Sequence, residues 1–293
     1  MKTETFFGQE CISLQNRTLE LLVTQSVGPR IISFGFKDGN NLFAELPNFV
    51  TELPDGGVFH FYGGHRLWVA PEDLRTTYIP DDDPVEISPL ENGLQVMQPV
   101  QPQTGLQKSM EILLVGETQV IVTHKIANRH SQPVTCALWA ITQFKTGGAA
   151  VLPQARHDMG VLPNRSLALW SYTDMSNPNM MWGREYILVD ARMEAPFKVG
   201  FPNPRGWLAY WLNGTLFVKR AEYNAQADYY DYGSSSECYC NDKFLELETL
   251  APIGTIAPDA TVTHTETWNL YKDIERPRDE NDIKALAEKL KLK

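Results

Sequence analysis

Between residues 12 and 270 the chain is a succession of short β-favouring runs, each closed by Gly, Pro, Asn or Asp, with no helical spacing among them. Ile12 to Leu14, Leu19 to Thr24 and Ile31 to Phe36 open the series. Val85 to Ile87, Leu94 to Pro99, Gln107 to Val115, Gln119 to Asn128, Val134 to Gln143, Leu167 to Trp170, Tyr186 to Asp190, Trp207 to Leu212, Thr215 to Arg220, Glu237 to Tyr239, Phe244 to Leu250 and Thr261 to Leu270 continue it. Many short strands without intervening helices exclude a parallel α/β sheet and predict an all-β sandwich or barrel. With 293 residues, 43% of them hydrophobic, the chain can bury a large core. Only near the end does helical spacing appear, where Ile283, Leu286 and Leu290 fall on one face. We expect a β domain over residues 1–275 and a tail over 276–293 that carries this short helix.

A formal net charge of −10 supplies no basic stripe to replace the counterions of a phosphate backbone, so a nucleic-acid partner is not expected. No run of about 18 apolar residues suggests a membrane span, and Met1 to Phe7 has an acidic residue and no signal-like apolar stretch, so a cytoplasmic protein is expected. There the sequons at Asn16, Asn164 and Asn213 carry no meaning. Cys11 and Cys136 stand in apolar surroundings, and Cys238 and Cys240 share a strand face; reduced buried thiols are expected. Cys-x-Cys without a second pair is a weak zinc signal, so no metal is assigned. Nucleotide-binding glycine loops, His-Glu-x-x-His and Gly-x-Ser-x-Gly are all missing from the sequence, and no cofactor is expected.

Chemistry concentrates in three stretches. Gly63 to Glu72 (Gly-Gly-His-Arg-Leu-Trp-Val-Ala-Pro-Glu) joins a flexible turn to an imidazole, a guanidinium, an indole and a carboxylate. That combination suits a sugar pocket, though a Gly-Gly turn opening an ordinary strand has the same letters. In Phe244 to Leu250 a period of two puts Leu245 and Leu247 on one face and Glu246 and Glu248 on the other, which is either solvated or the wall of a cleft. In a cleft, two neighbouring carboxylates push one pKa upward, as a general acid or base near neutrality requires. Thr261 to Trp268 sends its threonines to one side and Val262, His264, Glu266 and Trp268 to the other, a mixture suited to a cleft wall. His124 alternates with Val120, Val122 and Ile126 and is expected in the core; His130 belongs to a turn; Pro80 to Pro84 is expected to be an exposed acidic loop. Arg66 could fork onto a carboxylate or phosphate, which admits an acidic or phosphorylated sugar.

Taken in order, Gly28 to Gly35, Asn41 to Glu45, Gly63 to Pro71, Asn128 through Pro133 to Trp139, Leu247-Glu248 and Ile256-Ala257-Pro258 resemble segments of the galactose mutarotase-like superfamily, which includes aldose 1-epimerases and hexose-6-phosphate mutarotases. Gly63 to Trp68, Trp139 to Gln143 and Phe244 to Leu250 resemble more closely a branch described as a domain of unknown function. The resemblance implies a large antiparallel supersandwich that binds a sugar on a concave sheet face. It further implies a glutamate base for the anomeric hydroxyl, at Glu248 with Glu246 as second candidate, and a histidine acid for the ring oxygen. Here the histidine's place is taken by Trp139, which leaves His65 or His264 to supply the acid. The expected site is therefore Glu248, His65 and Glu246 for catalysis, with Arg66, Trp68, Trp139, Gln143 and His264 for binding. The expected function is an aldose 1-epimerase-like enzyme with a non-standard acid. Its alternative is a sugar binder that kept the cleft without the chemistry. A lyase base among Tyr229, Tyr230 and Tyr232 is a more distant possibility.

Overall fold

A computed structural model describes residues 2–292. Two large antiparallel sheets make a β-sandwich. The first runs Lys2–Phe6, Gln9–Gln15, Leu19–Thr24, Arg30–Phe36, His65–Ala70, Val134–Lys145, Phe244–Leu250, Ser236–Cys240, Phe197–Phe201 and Ala168–Leu169, with Gly254–Ile256 pairing to the outer part of Val134–Lys145. The second runs Met180–Trp182, Tyr186–Asp190, Ala149–Pro153, Trp207–Leu212, Thr215–Ala221, Thr261–Tyr271, Gln119–Asn128, Leu106–Val115, Gly93–Met97 and Glu86–Leu90. A separate hairpin, Glu45–Glu52 with Val58–Gly63, contributes Phe49 and Phe61 to the cavity described below.

Strand alternation sets the three layers. Leu67, Val69, Leu138, Phe144, Leu245 and Leu247 of the first sheet meet Val120, Val122, Phe217 and Trp268 of the second in the main core. On the other side of the first sheet, Trp68, Ala70, Ala137, Trp139, Ile141 and Leu250 form a separate cluster with Phe59 and Tyr229. The outer face of the second sheet is covered by the C-terminal helix Glu280–Lys289, capped by the Asp279 side chain on the amides of Asn281 and Asp282. Ile283 and Ala287 of that helix pack with Leu188, Trp207 and Val218, and Leu286 and Leu290 lie against the same cluster. Among the described residues no helix is long and apolar enough to cross a membrane.

Two expectations need correction and a third holds. Pro80 to Pro84 is not merely a solvated loop: Asp81 turns inward to pair with buried Arg30 at 2.8 Å, and Asp82 accepts from Tyr62 at 2.9 Å. The wall made by His264, Glu266 and Trp268 faces the second sheet's inner side, which is core and not cleft. The four cysteines are free and buried, as expected.

Candidate functional site

The residues after Gly64 explain how the site is aimed. Gly63 and Gly64 have φ of +92° and +75°, and a Cβ on either would lie 2.0 Å from the Ala44 oxygen or 2.3 Å from the Ile31 oxygen. The pair is thus held by the protein's own backbone, and only glycine fits there. It starts the His65–Ala70 strand in a register that pairs Arg66 with Ile141 and Trp68 with Trp139. Those residues share a face, and the next strand adds Gln143 opposite Glu246 and Ile141 opposite Glu248. Beyond it Glu237 stands opposite Glu248 and Tyr239 opposite Glu246, and Lys198 stands opposite Tyr239. One sheet face therefore collects three carboxylates, two cations and two indoles.

This face floors a cavity of about 360 Å³ whose lining includes Arg66, Trp68, Trp139, Lys198, Tyr239 and Glu246. Phe49 and Phe61 of the hairpin, Glu72 and Tyr78 of the following loop, and Tyr172, Asn241 and Phe244 complete its walls. The volume lies within the range of small-ligand sites. Trp68 and Trp139 meet edge to face at 5.5 Å, and the Arg66 guanidinium lies over Trp68 at 4.2 Å.

The two glutamates of the Phe244–Leu250 strand play different parts. Glu246 lines the cavity, and its Oε1 accepts from Gln143 Nε2 at 2.9 Å and from Arg66 Nη2 at 3.2 Å. Its Oε2 has no partner among the described residues. Burial, opposed by the Arg66 charge and reinforced by that of Glu248, pushes the Glu246 carboxyl up to about 7. Glu248 is sealed below the lining: Trp139 Nε1 donates to its Oε2 at 2.7 Å, and Lys198 Nζ does so at 3.1 Å. The expected order of the two is reversed, with Glu246 on the cavity wall and Glu248 behind Trp139.

The expected acids are elsewhere. His65 is fully buried on the opposite face of its strand, as alternation next to Arg66 demands, and His264 points into the same inter-sheet layer. Neither lines the cavity, nor does any histidine among the described residues, nor Tyr229, Tyr230 or Tyr232. His65 and His264 are therefore removed from the site. They belong to a sealed polar network whose protons can be placed by hydrogen-bond logic. His124 Nδ1 faces the His264 carbonyl at 2.9 Å and must donate, so its Nε2 accepts from His65 Nε2 at 2.7 Å. His65 Nδ1 then accepts from Thr142 Oγ1 at 2.8 Å, and Thr142 accepts from Lys219 Nζ at 3.1 Å. Lys219 also pairs with Glu266 at 2.7 Å, and Trp268 Nε1 donates to the other Glu266 oxygen at 2.8 Å. Burial lowers the imidazole pKa values of His65, His124 and His264, the last to about 3, which keeps all three neutral. His65, His124 and Glu266 lie close enough to hold a metal ion, but each is already partnered and the Lys219 ammonium occupies the cation's place.

Glu237, Tyr239 and the loop aromatics are site residues that sequence reasoning did not bring forward, and Lys198 entered it only beside Lys219, Arg156 and Arg184 as a cation that could help hold an acidic sugar. The usable signal was Lys198 as the lone charge in an apolar run bounded by Pro196 and Pro202.

Solved structures share this fold. Slr1438 from Synechocystis sp. PCC 6803 matches with a TM-score of 0.60 at 10% identity, over 93% of this chain and 100% of that one. A galactose mutarotase-like protein from Lactobacillus casei ATCC 334 matches at 0.59 and 10%, over 89% and 100%. A candidate aldose 1-epimerase from Klebsiella pneumoniae matches at 0.61 and 10%, over 97% and 83%. The chain has the galactose mutarotase-like fold, and at such identities the likeness is one of fold. No protein-family model matches the sequence, and no curated protein matches it.

Proposed function

We propose that the cavity binds a sugar and that the protein is an isomerase of the aldose 1-epimerase type, with Glu246 as its base. The observation that carries this reading is a carboxylate with one free oxygen, poised near neutrality, on the wall of an aromatic cavity. Indole and phenyl faces pack on the C–H faces of a sugar ring, and Asn241 and Tyr239 offer polar contacts to hydroxyls. Gln143 and Arg66 fix Glu246 through Oε1 and leave Oε2 for the anomeric hydroxyl. When Oε2 takes that proton, the O1 electrons form a carbonyl at C1 and the bond from C1 to the ring oxygen breaks. The ring oxygen gains a proton; rotation about C1–C2 and reclosure give the other anomer. General base assistance of this kind contributes about 10²- to 10⁴-fold.

Both cations on the wall are matched, Arg66 by Glu246 and Lys198 by Glu248, with Glu237 beside it. An acidic or phosphorylated sugar would have to compete with those carboxylates, so an uncharged aldose fits the charge balance better. Fold neighbours described as mutarotase-like or as candidate aldose 1-epimerases support the same class. NMR exchange spectroscopy on neutral, acidic and phosphorylated aldoses tests the proposal: acceleration over buffer is expected with a neutral aldose, and no acceleration with any of them overturns it. A second reading, a binder without turnover, is favoured by the lack of a histidine on the cavity wall; it predicts calorimetric binding of a sugar without exchange.

A further inference from the structure

With His65 and His264 in the core, the proposed reaction lacks a group that protonates the ring oxygen. We propose that Lys198, resupplied by Glu237, delivers that proton from the side of the cavity formed by the Phe197–Phe201 and Ser236–Cys240 strands. The inference rests on the epimerase reading above and names its missing half.

Lys198 is almost fully buried, yet it lines the cavity. Its Nζ lies 2.7 Å from Glu237 Oε2 and 3.1 Å from Glu248 Oε2, between the rings of Trp139 at 4.6 Å and Trp170 at 4.7 Å. An ammonium has three N–H groups. One is donated to Glu248 Oε2, Glu237 Oε2 lies at ion-pair distance without a formed hydrogen bond, and Nζ makes no other hydrogen bond to the protein among the described residues. Trp139 thus replaces the histidine that the resemblance implied and holds this ammonium against its ring. The other cation on the wall, Arg66, cannot act as an acid because its guanidinium does not deprotonate in proteins.

Burial by itself would lower the Lys198 pKa, but Glu237 and Glu248 hold it well above the ordinary value, so it is an ammonium in the resting site. Burial drives the Glu237 carboxyl above the ordinary carboxylate range despite Lys198; in the proposed cycle it rests protonated, and Glu248 is the carboxylate that balances the ammonium. The step then balances. As the bond from C1 to the ring oxygen breaks, that oxygen takes a proton from Lys198 Nζ, and Glu237 passes its own proton to Nζ. Glu246 has meanwhile gained the anomeric proton. The site goes from Glu246 carboxylate with Glu237 acid to Glu246 acid with Glu237 carboxylate, and Lys198 is an ammonium before and after. Reclosure reverses both transfers, so no oxidant, reductant or co-reactant is needed.

The test compares wild type with Lys198→Met, Lys198→Arg, Glu237→Gln and Glu246→Gln, using anomer exchange by NMR, sugar binding by calorimetry and folding by circular dichroism. Lys198→Arg keeps the charge and the stacking but cannot give up a proton. Both Lys198 variants are expected to lose kcat by about 100-fold or more, with KM changed only a few-fold. Glu237→Gln is expected to lower kcat by roughly tenfold or more and to remove the alkaline limb of the pH profile, since an amide supplies no acidic proton. Should Lys198→Met fail to fold, Lys198→Arg and Glu237→Gln carry the test. A folded, sugar-binding Lys198→Arg within threefold of the wild-type rate overturns the inference, while inactive Glu246→Gln in the same assay leaves the base assignment standing. A wild type without exchange removes the epimerase reading and this inference together.

Discussion

Glu246 and Glu248 point to the same side of one strand, yet an indole N–H at 2.7 Å and a lysine at 3.1 Å make Glu248 a buttress while Glu246 faces the cavity. Glu246→Gln is expected to lower the exchange rate by about 100-fold or more with sugar affinity changed only a few-fold, because the amide keeps the shape and loses the proton acceptor. The working form of Glu246 is the carboxylate. The wild-type rate should therefore rise with pH through about 7, before the alkaline limb set by Glu237; a profile flat from pH 5 to 8 would remove Glu246 as the base. Trp68 acts differently, through its face. Its ring carries the Arg66 guanidinium and forms part of the cavity wall, so Trp68→Ala is expected to weaken sugar binding by roughly tenfold, about 1.4 kcal/mol. Unchanged calorimetric affinity would show that the sugar does not use this ring.

At the scale of the strand, the same alternation divides His65 from Arg66 and serves two sites. Residues on the cavity side hold a ligand, and residues on the core side tie the sheets together: Lys219 reaches from the second sheet to the Leu247 carbonyl and the Thr142 hydroxyl of the first. Its countercharge, Glu266, is bound by Lys219, Thr249 and Trp268. Glu266→Gln leaves a sealed ammonium without its partner, and a loss of about 3–5 kcal/mol in urea unfolding is expected. A loss under 1 kcal/mol would mean that the layer tolerates an unpaired charge. Several strands of this architecture were legible almost to the residue, among them Leu19–Thr24, Gln119–Asn128 and Phe244–Leu250. Phe197–Phe201 was not, because five mostly apolar residues show no alternation, and with it Lys198 was undervalued. Glu45–Glu52 and Val58–Gly63 were missed as well; they pair only with each other and lack a continuous apolar face.

For the whole molecule, two sets of buried groups pull stability in opposite directions with pH. His65, His124 and His264 stay neutral when folded but bind protons below about 6.5 when unfolded, so they cost stability as pH falls. Glu237 and Glu246 keep protons when folded that the unfolded chain releases above about 4.5, so they cost stability as pH rises. Between those values the two glutamates offset two of the three histidines. Below about 4.5 the glutamates are protonated in both states, and the histidines act alone with Glu266. Burial would raise the Glu266 carboxyl, but Lys219 and the two nearby imidazoles hold it below the ordinary range. Stability in urea is expected to fall gently from pH 6.5 to 5, with one group uncompensated, and steeply below 4.5, by about 1.4 kcal/mol per pH unit for each group involved. A decline as steep between pH 6.5 and 5 as below 4.5 would show that the glutamates do not offset the histidines.

The sequence by itself determined the all-β class, most strand positions, the terminal helix and which side chains of a strand share a face. Leu245 with Leu247 against Glu246 with Glu248 follows from a period of two. A period of two separates faces without saying which one meets the other sheet and which meets a ligand. That was decided by the Gly63-Gly64 turn, packed against the Ala44 and Ile31 carbonyls, which seats Arg66 and Trp68 on the cavity and His65 in the core. Likewise, only strand pairing brings Lys198 beside Glu237 and Glu248, because its contacts reach segments dozens of residues away and leave no local trace in the sequence.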